Sequence, residues 1–328
     1  MVSEGGVSAP TSIAITGLGS FFGRRLAQRL LELPRPPKIV GIDLRRPWRL
    51  EGRIGFHRVD LGDPAAGGKL AEVLVRERVE RVVHAAFRRD PTPDVEADHE
   101  LETVGSIHVM NACAAAKVDH LVWLSSTMLY GARPDNPNFL GEEHPLRGHA
   151  DAHCVRNRVE AEELLARFRV KHRDLHVSAL RFAWVMGPEF EDRVVRHFAS
   201  PVVTTLLGYD PLVQFVHEED ALDVLERCVL EDHPGTYNVV GPGVLPLSTL
   251  LALGGKRALP LPTPLLYRLE HWLSQSRYGD LPAGFYDYLR WLFVADGARG
   301  WDRFGEPVYS SREAWISFVS SRRMRRYR

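Results

Sequence analysis

Apolar positions along the first 180 residues follow two spacings, short β-branched runs and longer stretches of helical periodicity. The short runs predict six strands: Ser12–Thr16, Lys38–Asp43, a run ending at Asp60, and runs beginning at Arg81, His120 and His176. The longer stretches predict helices at about Phe22–Leu33, Lys69–Arg78, Leu101–Lys117 and Ala152–Lys171. Strands that alternate with helices indicate an α/β protein with a Rossmann-type, doubly wound parallel sheet.

The pattern changes after Arg181, where proline and glycine become more frequent and strand-like runs fewer. We therefore predict a dinucleotide-binding Rossmann domain over residues 11–180 and a smaller, mostly helical, substrate-binding region over 181–328. The stretch at about 212–232 again has the pattern of a strand followed by an amphipathic helix. We expect the chain to return to the first domain there, so the two regions are interleaved.

The composition is that of an ordinary globular protein, with 328 residues, 45% of them apolar. Lys plus Arg and Asp plus Glu both number 42, so no net field attracts nucleic acid. The first residues lack a signal-peptide pattern, and no apolar run is long enough to span a membrane, which predicts a cytoplasmic protein. The cysteines Cys113, Cys154 and Cys228 are far apart, which favours reduced thiols and no metal cluster.

A glycine-rich turn directly follows the first predicted strand and opens the first predicted helix. Gly17, Gly19 and Gly23 stand in this turn, where a main chain without Cβ atoms can approach a pyrophosphate. The N-terminus of the helix adds free N–H groups and a partial positive charge. The alternative is a tight strand-to-helix turn that binds no ligand.

Asp43 ends the second predicted strand, at the position from which a carboxylate binds the adenosine ribose of a dinucleotide. A carboxylate there repels a 2′-phosphate, which favours NAD. NADP stays possible, because Arg45 and Arg46 follow and could accept that phosphate. Asp43 could also be only a turn or helix cap.

Several segments resemble those of the extended short-chain dehydrogenase/reductase family, the NAD-dependent epimerase/dehydratase group. The matching segments are TGLGSFFG at Thr16–Gly23, VDLGD at Val59–Asp63, VVHAAF at Val82–Phe87, WLSSTMLYG at Trp123–Gly131, LRFAWVMGP ending at Pro188 and QFVHEEDAL around His217 and Asp220. Ser20 stands where the family turn has its middle glycine. The resemblance covers nearly the whole chain and implies NAD binding, a substrate that is a small molecule, and a homodimer as a reasonable assembly.

The resemblance also implies which residues contact the cofactor. They are Gly17, Gly19, Ser20, Phe21, Phe22 and Gly23 in the turn, Asp43, Leu44 and Arg45 after the second strand, Asp60 and Leu61 after the third, Ala85, Ala86 and Phe87 after the fourth, and Thr103 and Arg158. Asp60 corresponds to the family residue that contacts adenine. Thr103 stands where the family usually has an asparagine.

The catalytic motif departs from the family pattern. By the resemblance, Ser126 is the serine that binds a substrate hydroxyl or carbonyl. The family's Tyr-x-x-x-Lys is replaced, with Cys154 at the tyrosine position and Arg158 at the lysine position, and a register with Ala152 and Arg156 contains no tyrosine either. An arginine can still hold a ribose, but a thiol is a poor substitute for a phenol.

Three functions stay open at this point. The first is an oxidoreductase or epimerase acting on a secondary alcohol or ketone, such as a nucleotide sugar or a hydroxysteroid, with another acid/base, for which His153 is the nearest candidate. A solvent-facing histidine is the alternative for that residue. The second is a catalytically silent NAD-binding regulatory or scaffold protein. The third is a protein of this fold with a different ligand.

Two features of the second half suggest contacts with larger surfaces. The aromatic-rich run between Pro260 and Ala295 could pack on the sheet domain, cover an apolar substrate, form a dimer face or lie on a membrane surface. The arginine-rich end from Ser320 predicts a solvated tail, with contact to an anionic surface as the alternative. His217 and Asp220 precede a predicted helix, where a capping role is expected.

Overall fold

The computed structural model describes residues 10–47, 50–88, 94–149, 152–268 and 284–325. The strands are β1 (Ser12–Thr16), β2 (Lys38–Asp43), β3 (Gly55–Arg58), β4 (Arg81–His84), β5 (His120–Ser126), β6 (His176–Phe182), β7 (Trp184–Met186), β8 (Val202–Leu206), β9 (Leu212–Val213), β10 (Phe215–His217), β11 (Gly235–Val239), β12 (Leu245–Pro246) and β13 (Arg257–Leu261). The helices are α1 (Phe21–Glu32), α2 (Ala66–Arg76), α3 (Val95–His99), α4 (Gly105–Ala116), α5 (His153–Lys171), α6 (Arg193–Ala199), α7 (Glu218–Leu230), α8 (Leu247–Leu253), α9 (Ala298–Phe304) and α10 (Ser311–Arg325).

The centre of the fold is a seven-stranded sheet in the order β11-β6-β5-β4-β1-β2-β3. Every neighbouring pair in it is parallel. The six predicted strands are all present in this sheet, so the predicted Rossmann-type α/β fold is confirmed. Helices cover both faces of a parallel sheet, which explains why the strand sequences are almost continuously apolar.

Side chains of β1 alternate between two apolar cores, one on each face of the sheet. Ile13 and Ile15 point into the core that contains residues of α1 and α7. Ala14 points into the core formed with α2, α4 and α5. Because side chains are buried on both faces, β1 has a fixed position in the sheet. The glycine turn that follows it is therefore fixed as well.

The helix predicted at about Leu101–Lys117 begins earlier and is not uniform. It runs from α3 through a π-helical turn at Glu100–Val104 into α4, and ends at Lys117 in the left-handed conformation (φ 54°). A π turn inserts one residue into the helical repeat and changes which side chains face inward. Here it places Glu102 and Thr103 in the interior, both buried.

The second region returns to the main sheet through β11, which pairs in parallel with β6 from Gly235 opposite Ser178. β11 lies just after the predicted return segment at 212–232. Within that segment, α7 packs beside α1, where Arg29 forms ion pairs with Glu219 and Asp223 at 2.5 Å each. β10 pairs with β7 outside the main sheet.

Aromatic side chains of the second region converge on Trp184, the first residue of β7. Phe285 stacks on its ring at 5.8 Å between centroids, and Phe293 meets its edge at 5.0 Å. The described aromatics of the run between Pro260 and Ala295 thus contribute to the core. Trp272 and Tyr278 of that run lie outside the described residues.

The arginine-rich end corrects the prediction of a solvated tail from Ser320. Helix α10 continues through this stretch to Arg325, and two of its arginines have partners. Arg322 pairs with Glu191, and Arg323 donates to the carbonyl of Gly254 at 2.9 Å. Residues 326–328 lie outside the described part of the chain. Among the helices that are described, none has the length and apolar character required to cross a bilayer.

Candidate cofactor and active site

A cavity of about 740 Å³ lies at the carboxyl ends of β1, β2, β4, β5 and β6. Ligands of open α/β sheets bind at this edge, and the volume is that of a small-molecule site. Fifteen predicted site residues line the cavity: Gly17, Gly19, Ser20, Phe21, Phe22, Asp43, Leu44, Arg45, Asp60, Leu61, Ala85, Ala86, Phe87, Ser126 and Arg158. The predicted Gly23, Thr103, His153 and Cys154 are not among the lining residues.

The glycine turn is packed so closely against main-chain atoms that side chains would not fit at two of its positions. Gly17 has φ +69°, and a Cβ on it would lie 2.5 Å from the carbonyl oxygen of Ala85. A Cβ on Gly23 would lie 2.4 Å from the carbonyl oxygen of Gly17, so Gly23 supports the turn from beneath. Ser20 caps α1, because its hydroxyl accepts from the N–H of Gly23 at 3.0 Å. The serine in place of the family glycine therefore has a structural role here.

Asp43 faces this turn from the end of β2. Its Oδ2 accepts from the N–H of Gly19 at 2.8 Å, and its Oδ1 accepts from the N–H of Leu44 at 2.6 Å. The carboxylate is therefore held at the mouth of the turn by main-chain donors. Arg45 follows it on the exposed side, and Asp60 lies on the neighbouring strand end with its Oδ1 accepting from Gly62.

The opposite wall is built from the loop after β4 and from α5. Arg158 extends from α5 into the cavity wall, with its guanidinium 5.2 Å from the centre of the Phe87 ring. Glu102, which is buried, accepts from Nε of Arg158 at 3.2 Å. Burial raises the pKa of the Glu102 carboxyl, and the Arg158 guanidinium opposes that rise. Arg88 also lines this wall, and sequence reasoning missed it.

Ser126 lies at the end of β5 and lines the cavity, as expected from the WLSSTMLYG segment. Its Oγ accepts from the N–H of Met128 at 3.2 Å, which leaves the hydroxyl proton available to a ligand. Ser125 lines the cavity as well, and its hydroxyl donates to the buried Glu162, which is paired with Arg181. Sequence reasoning missed Ser125, although it is adjacent to the predicted serine.

The remaining catalytic candidates are placed away from the cavity. Cys154 packs beside Leu129 and Val155, and burial raises the pKa of its thiol to about 11. His153 is exposed at the start of α5, where its Nδ1 accepts from Arg156 at 3.0 Å. Neither side chain lines the cavity.

Thr103 likewise lies behind the wall and does not line the cavity. The π turn buries it, and its hydroxyl donates to the carbonyl of Asn157 at 3.2 Å. It therefore joins the helix of the π turn to α5.

The residues predicted to cap a helix lie at the start of α7, where His217 accepts from the N–H of Glu219 at 3.2 Å. Asp220, within the first turn of that helix, accepts from the N–H groups of Val308 and Tyr309.

The end of the cavity beyond Ser126 is largely apolar, and most of its lining residues were missed. They are Leu124, Met128, Phe182, Ala183, Trp184, Val185, Phe190 and Asp192. Phe22 from the glycine turn stacks on Phe182 at 5.0 Å, and Phe21 meets the edge of Phe190 at 5.2 Å. The LRFAWVMGP segment was a signal for this wall, because Phe182 through Val185 belong to it.

Comparisons with known proteins agree with this architecture. The model of the NAD dependent epimerase/dehydratase family matches residues 13–240. An uncharacterized protein of Mycobacterium tuberculosis is 28% identical over 321 residues, which cover 95% of this chain and 84% of that relative.

Two solved structures of UDP-glucose 4-epimerases share the fold. The enzyme of Thermotoga maritima, solved with UDP-glucose, has a TM-score of 0.72 at 18% identity, covering 96% of this chain and 99% of that one. The enzyme of Thermus thermophilus, in complex with NAD, has a TM-score of 0.71 at 20% identity, covering 95% and 99%. At these identities the likeness concerns the fold.

Proposed function

Since this chain belongs to the NAD dependent epimerase/dehydratase family, we propose that its cavity binds NAD and that the protein transfers hydride to or from a secondary alcohol or ketone. The observation that carries this proposal is the arrangement of the cavity. The glycine turn and Asp43 lie at one end, Ser126 at the other, and Arg158 on the wall between the strands and α5. These are the groups that a dinucleotide and a hydroxyl-bearing substrate require.

The residues present fit NAD. In our proposal, the pyrophosphate lies at the N-terminus of α1, on the main-chain N–H groups of Phe21 and Phe22, because a helix N-terminus favours an anion. Asp43 binds the hydroxyls of the adenosine ribose, and its charge disfavours the 2′-phosphate of NADP. Arg158 binds the second ribose through the donors of its guanidinium. The complex of the Thermus thermophilus neighbour with NAD supports this choice of cofactor.

Ser126 would orient the substrate by donating a hydrogen bond to the oxygen at the reacting carbon. Bound NAD supplies the hydride acceptor, and NADH the donor. A donor aimed at that oxygen stabilises the charge that develops on it. The proton of the substrate hydroxyl must also move, and the half-buried Cys154 thiol, whose pKa is raised to about 11, stays protonated at neutral pH. Cys154 is therefore not our proposed base.

The protonated state of Cys154 also favours a second candidate, a catalytically silent NAD-binding protein. Hydride transfer without a group to exchange the proton is slow, because general acid–base catalysis usually contributes about 10²–10⁴ in rate. Binding of NAD does not require this group. The two candidates therefore predict equal affinity for NAD and differ only in turnover.

For the substrate we propose an uncharged, largely apolar alcohol or ketone, such as a hydroxysteroid, in preference to a nucleotide sugar. Phe182, Trp184 and Phe190 present apolar surface beyond Ser126. Asp192 lines the same end, where its carboxylate caps α6 by accepting from the N–H of Val195 at 2.7 Å. Nucleotide sugars stay the alternative, because the Thermotoga maritima neighbour was solved with UDP-glucose.

We expect Asp43→Asn to weaken NAD binding about tenfold, because a charge-assisted hydrogen bond to the ribose is replaced by a neutral one. The affinity for NADP should fall less or rise, since the repulsion of its 2′-phosphate is removed. Calorimetric titration with both dinucleotides measures the two affinities. Asp63→Asn is the matched control, because Asp63 is an exposed carboxylate that bonds Ala65 away from the cavity. Equal losses for NAD and NADP would remove Asp43 from the discrimination.

We expect Ser126→Ala to lower the rate of hydride transfer about 100-fold while NAD affinity stays unchanged, because Ser126 would act on the substrate oxygen. The measurement is NADH formation or consumption with a panel of hydroxysteroids and nucleotide sugars. Thr127→Ser is the control, since Thr127 is buried next to Ser126 and does not line the cavity. NAD binding without turnover of any panel member would favour the silent protein. A fully active Ser126→Ala would exclude the proposed role.

A further inference from the structure

Glu102 is a buried carboxylate that stands on the π turn between α3 and α4, with 0% of its surface exposed. A buried carboxylate is costly unless donors compensate its charge. Its Oε1 accepts two hydrogen bonds of 3.2 Å, from Nε of Arg158 and from the main-chain N–H of Arg88. Its Oε2 has no partner among the described residues. The compensation is therefore concentrated on the oxygen that faces the cavity wall.

Those two donors belong to separate elements of the wall. Arg88 closes the loop after β4, and Arg158 stands on α5. Nη2 of Arg158 also donates to the carbonyl of Arg88 at 2.5 Å, and its guanidinium lies over Phe87. One carboxylate thus fixes the loop and the guanidinium relative to each other.

The orientation that results leaves part of Arg158 for a ligand. Nε and Nη2 are engaged, whereas Nη1 has no partner in the described part of the chain. The Arg158 side chain is 27% exposed and lines the cavity. A guanidinium is planar and its donors have fixed directions. Its free donor is therefore oriented towards a ligand only when the other donors are held in place. The lysine of the family motif would need no such support, because an ammonium is a point charge.

We propose that Glu102 is a positioning residue for the nicotinamide half of the cofactor site, acting through Arg158 without contacting the cofactor. This inference rests on the proposed binding of NAD. It explains why a buried carboxylate accompanies an arginine at the position where the family has lysine. It also assigns a structural role to the π turn, because this turn carries Glu102 beneath the guanidinium.

The test compares NAD with ADP, which contains the adenine half and lacks the nicotinamide ribose. We expect Glu102→Gln to weaken NAD binding about fivefold and ADP binding less than about twofold, because the neutral amide holds the guanidinium less firmly. Arg158→Ala should weaken NAD binding by at least as much and spare ADP. In the Arg158→Ala background, Glu102→Gln should have no further effect, because its route to the ligand is gone. Glutamine has nearly the same shape, so the variant is expected to fold.

The matched control is Asp220→Asn, which neutralises another buried carboxylate that accepts two main-chain N–H groups and does not line the cavity. It should lower the unfolding temperature and leave the ratio of the NAD and ADP affinities unchanged. The inference is overturned if Glu102→Gln leaves NAD affinity unchanged, weakens NAD and ADP equally, or adds its full effect to Arg158→Ala. Wild-type protein that binds neither ligand would instead refute the proposed NAD site.

Discussion

Replacing Gly17 by alanine is expected to weaken NAD binding about 100-fold and to lower the free energy of unfolding by about 3 kcal/mol. Gly17 has φ +69°, a region that costs a side-chain-bearing residue energy. The added Cβ would also lie 2.6 Å from Cα of Ala86, which is main chain and cannot rotate away. The turn must therefore move towards the cavity, into the space proposed for the pyrophosphate.

Calorimetry with NAD and chemical denaturation measure the two effects of Gly17→Ala. Gly68→Ala is the control, because Gly68 is an exposed helical position in α2 with no atom within 4 Å of an added Cβ. That control should gain about 0.5–1 kcal/mol of stability from higher helix propensity, with unchanged NAD affinity. A Gly17→Ala protein that binds NAD like the wild type would show that the turn does not contact the dinucleotide.

Acidification from about pH 7.5 to pH 5 is expected to lower the free energy of unfolding by about 4 kcal/mol through two buried histidines. Burial lowers the pKa of His84 to about 3 and that of His120 to about 4. Both rings are engaged by hydroxyls, His84 by Thr16 and Ser106, and His120 by Ser178. Near His120, the positive charge of Arg81 also lowers the pKa, and Asp232 opposes it.

The sign follows from which state binds the protons. In the unfolded chain both histidines have a pKa of about 6.5, so at pH 5 they are protonated there and neutral in the folded protein. Their contribution to stability is therefore complete above about pH 6.5 and is lost as the pH falls towards 4. At pH 5 each of these two histidines contributes about 2 kcal/mol to this loss and takes up about one proton on unfolding. Burial also lowers the pKa of His197 to about 4, so His197 adds a similar contribution.

His84→Gln should remove about 2 kcal/mol of this pH dependence, because an amide can bond the same hydroxyls and does not titrate. Burial raises the pKa values of Glu102, Glu218 and Asp220, so protonation of these carboxyls on acidification changes the free energy of unfolding with the opposite sign. These carboxyls are common to the wild type and the variant, so the difference between their denaturation curves isolates His84. Identical pH profiles for the two proteins would rule out a neutral buried His84.

The sheet and the side of the cavity at the glycine turn were predictable because local sequence determines them. A strand, a glycine turn and a helix start are consecutive in the chain, so spacing alone placed Gly17 and Asp43 correctly with respect to each other. The six strands were recognisable because parallel strands are apolar along their whole length. The seventh, β11, was missed, because its GTYNV sequence is short, begins with a glycine and follows a proline.

The other half of the site depends on contacts between distant segments. Arg158 was identified by its motif position, but nothing in the sequence indicated that Glu102 would lie beneath it, since the two are 56 residues apart. The π turn that brings them together changes the helical register, which periodicity alone does not reveal. Phe182 and Trp184 were recognisable as part of a family segment. Their position on the cavity wall, however, depends on the path of the chain between the end of β6 and β7.

The seventh strand determines which fragment of this protein could fold by itself. A fragment that ended soon after β6 would leave the outer edge of that strand without the partner that Gly235–Val239 supplies. An unpaired edge of this kind is a template for aggregation between chains. Limited digestion or domain dissection should therefore yield a dispersed dinucleotide-binding fragment only when the cut falls after Val239, next to residue 240, where the family match ends.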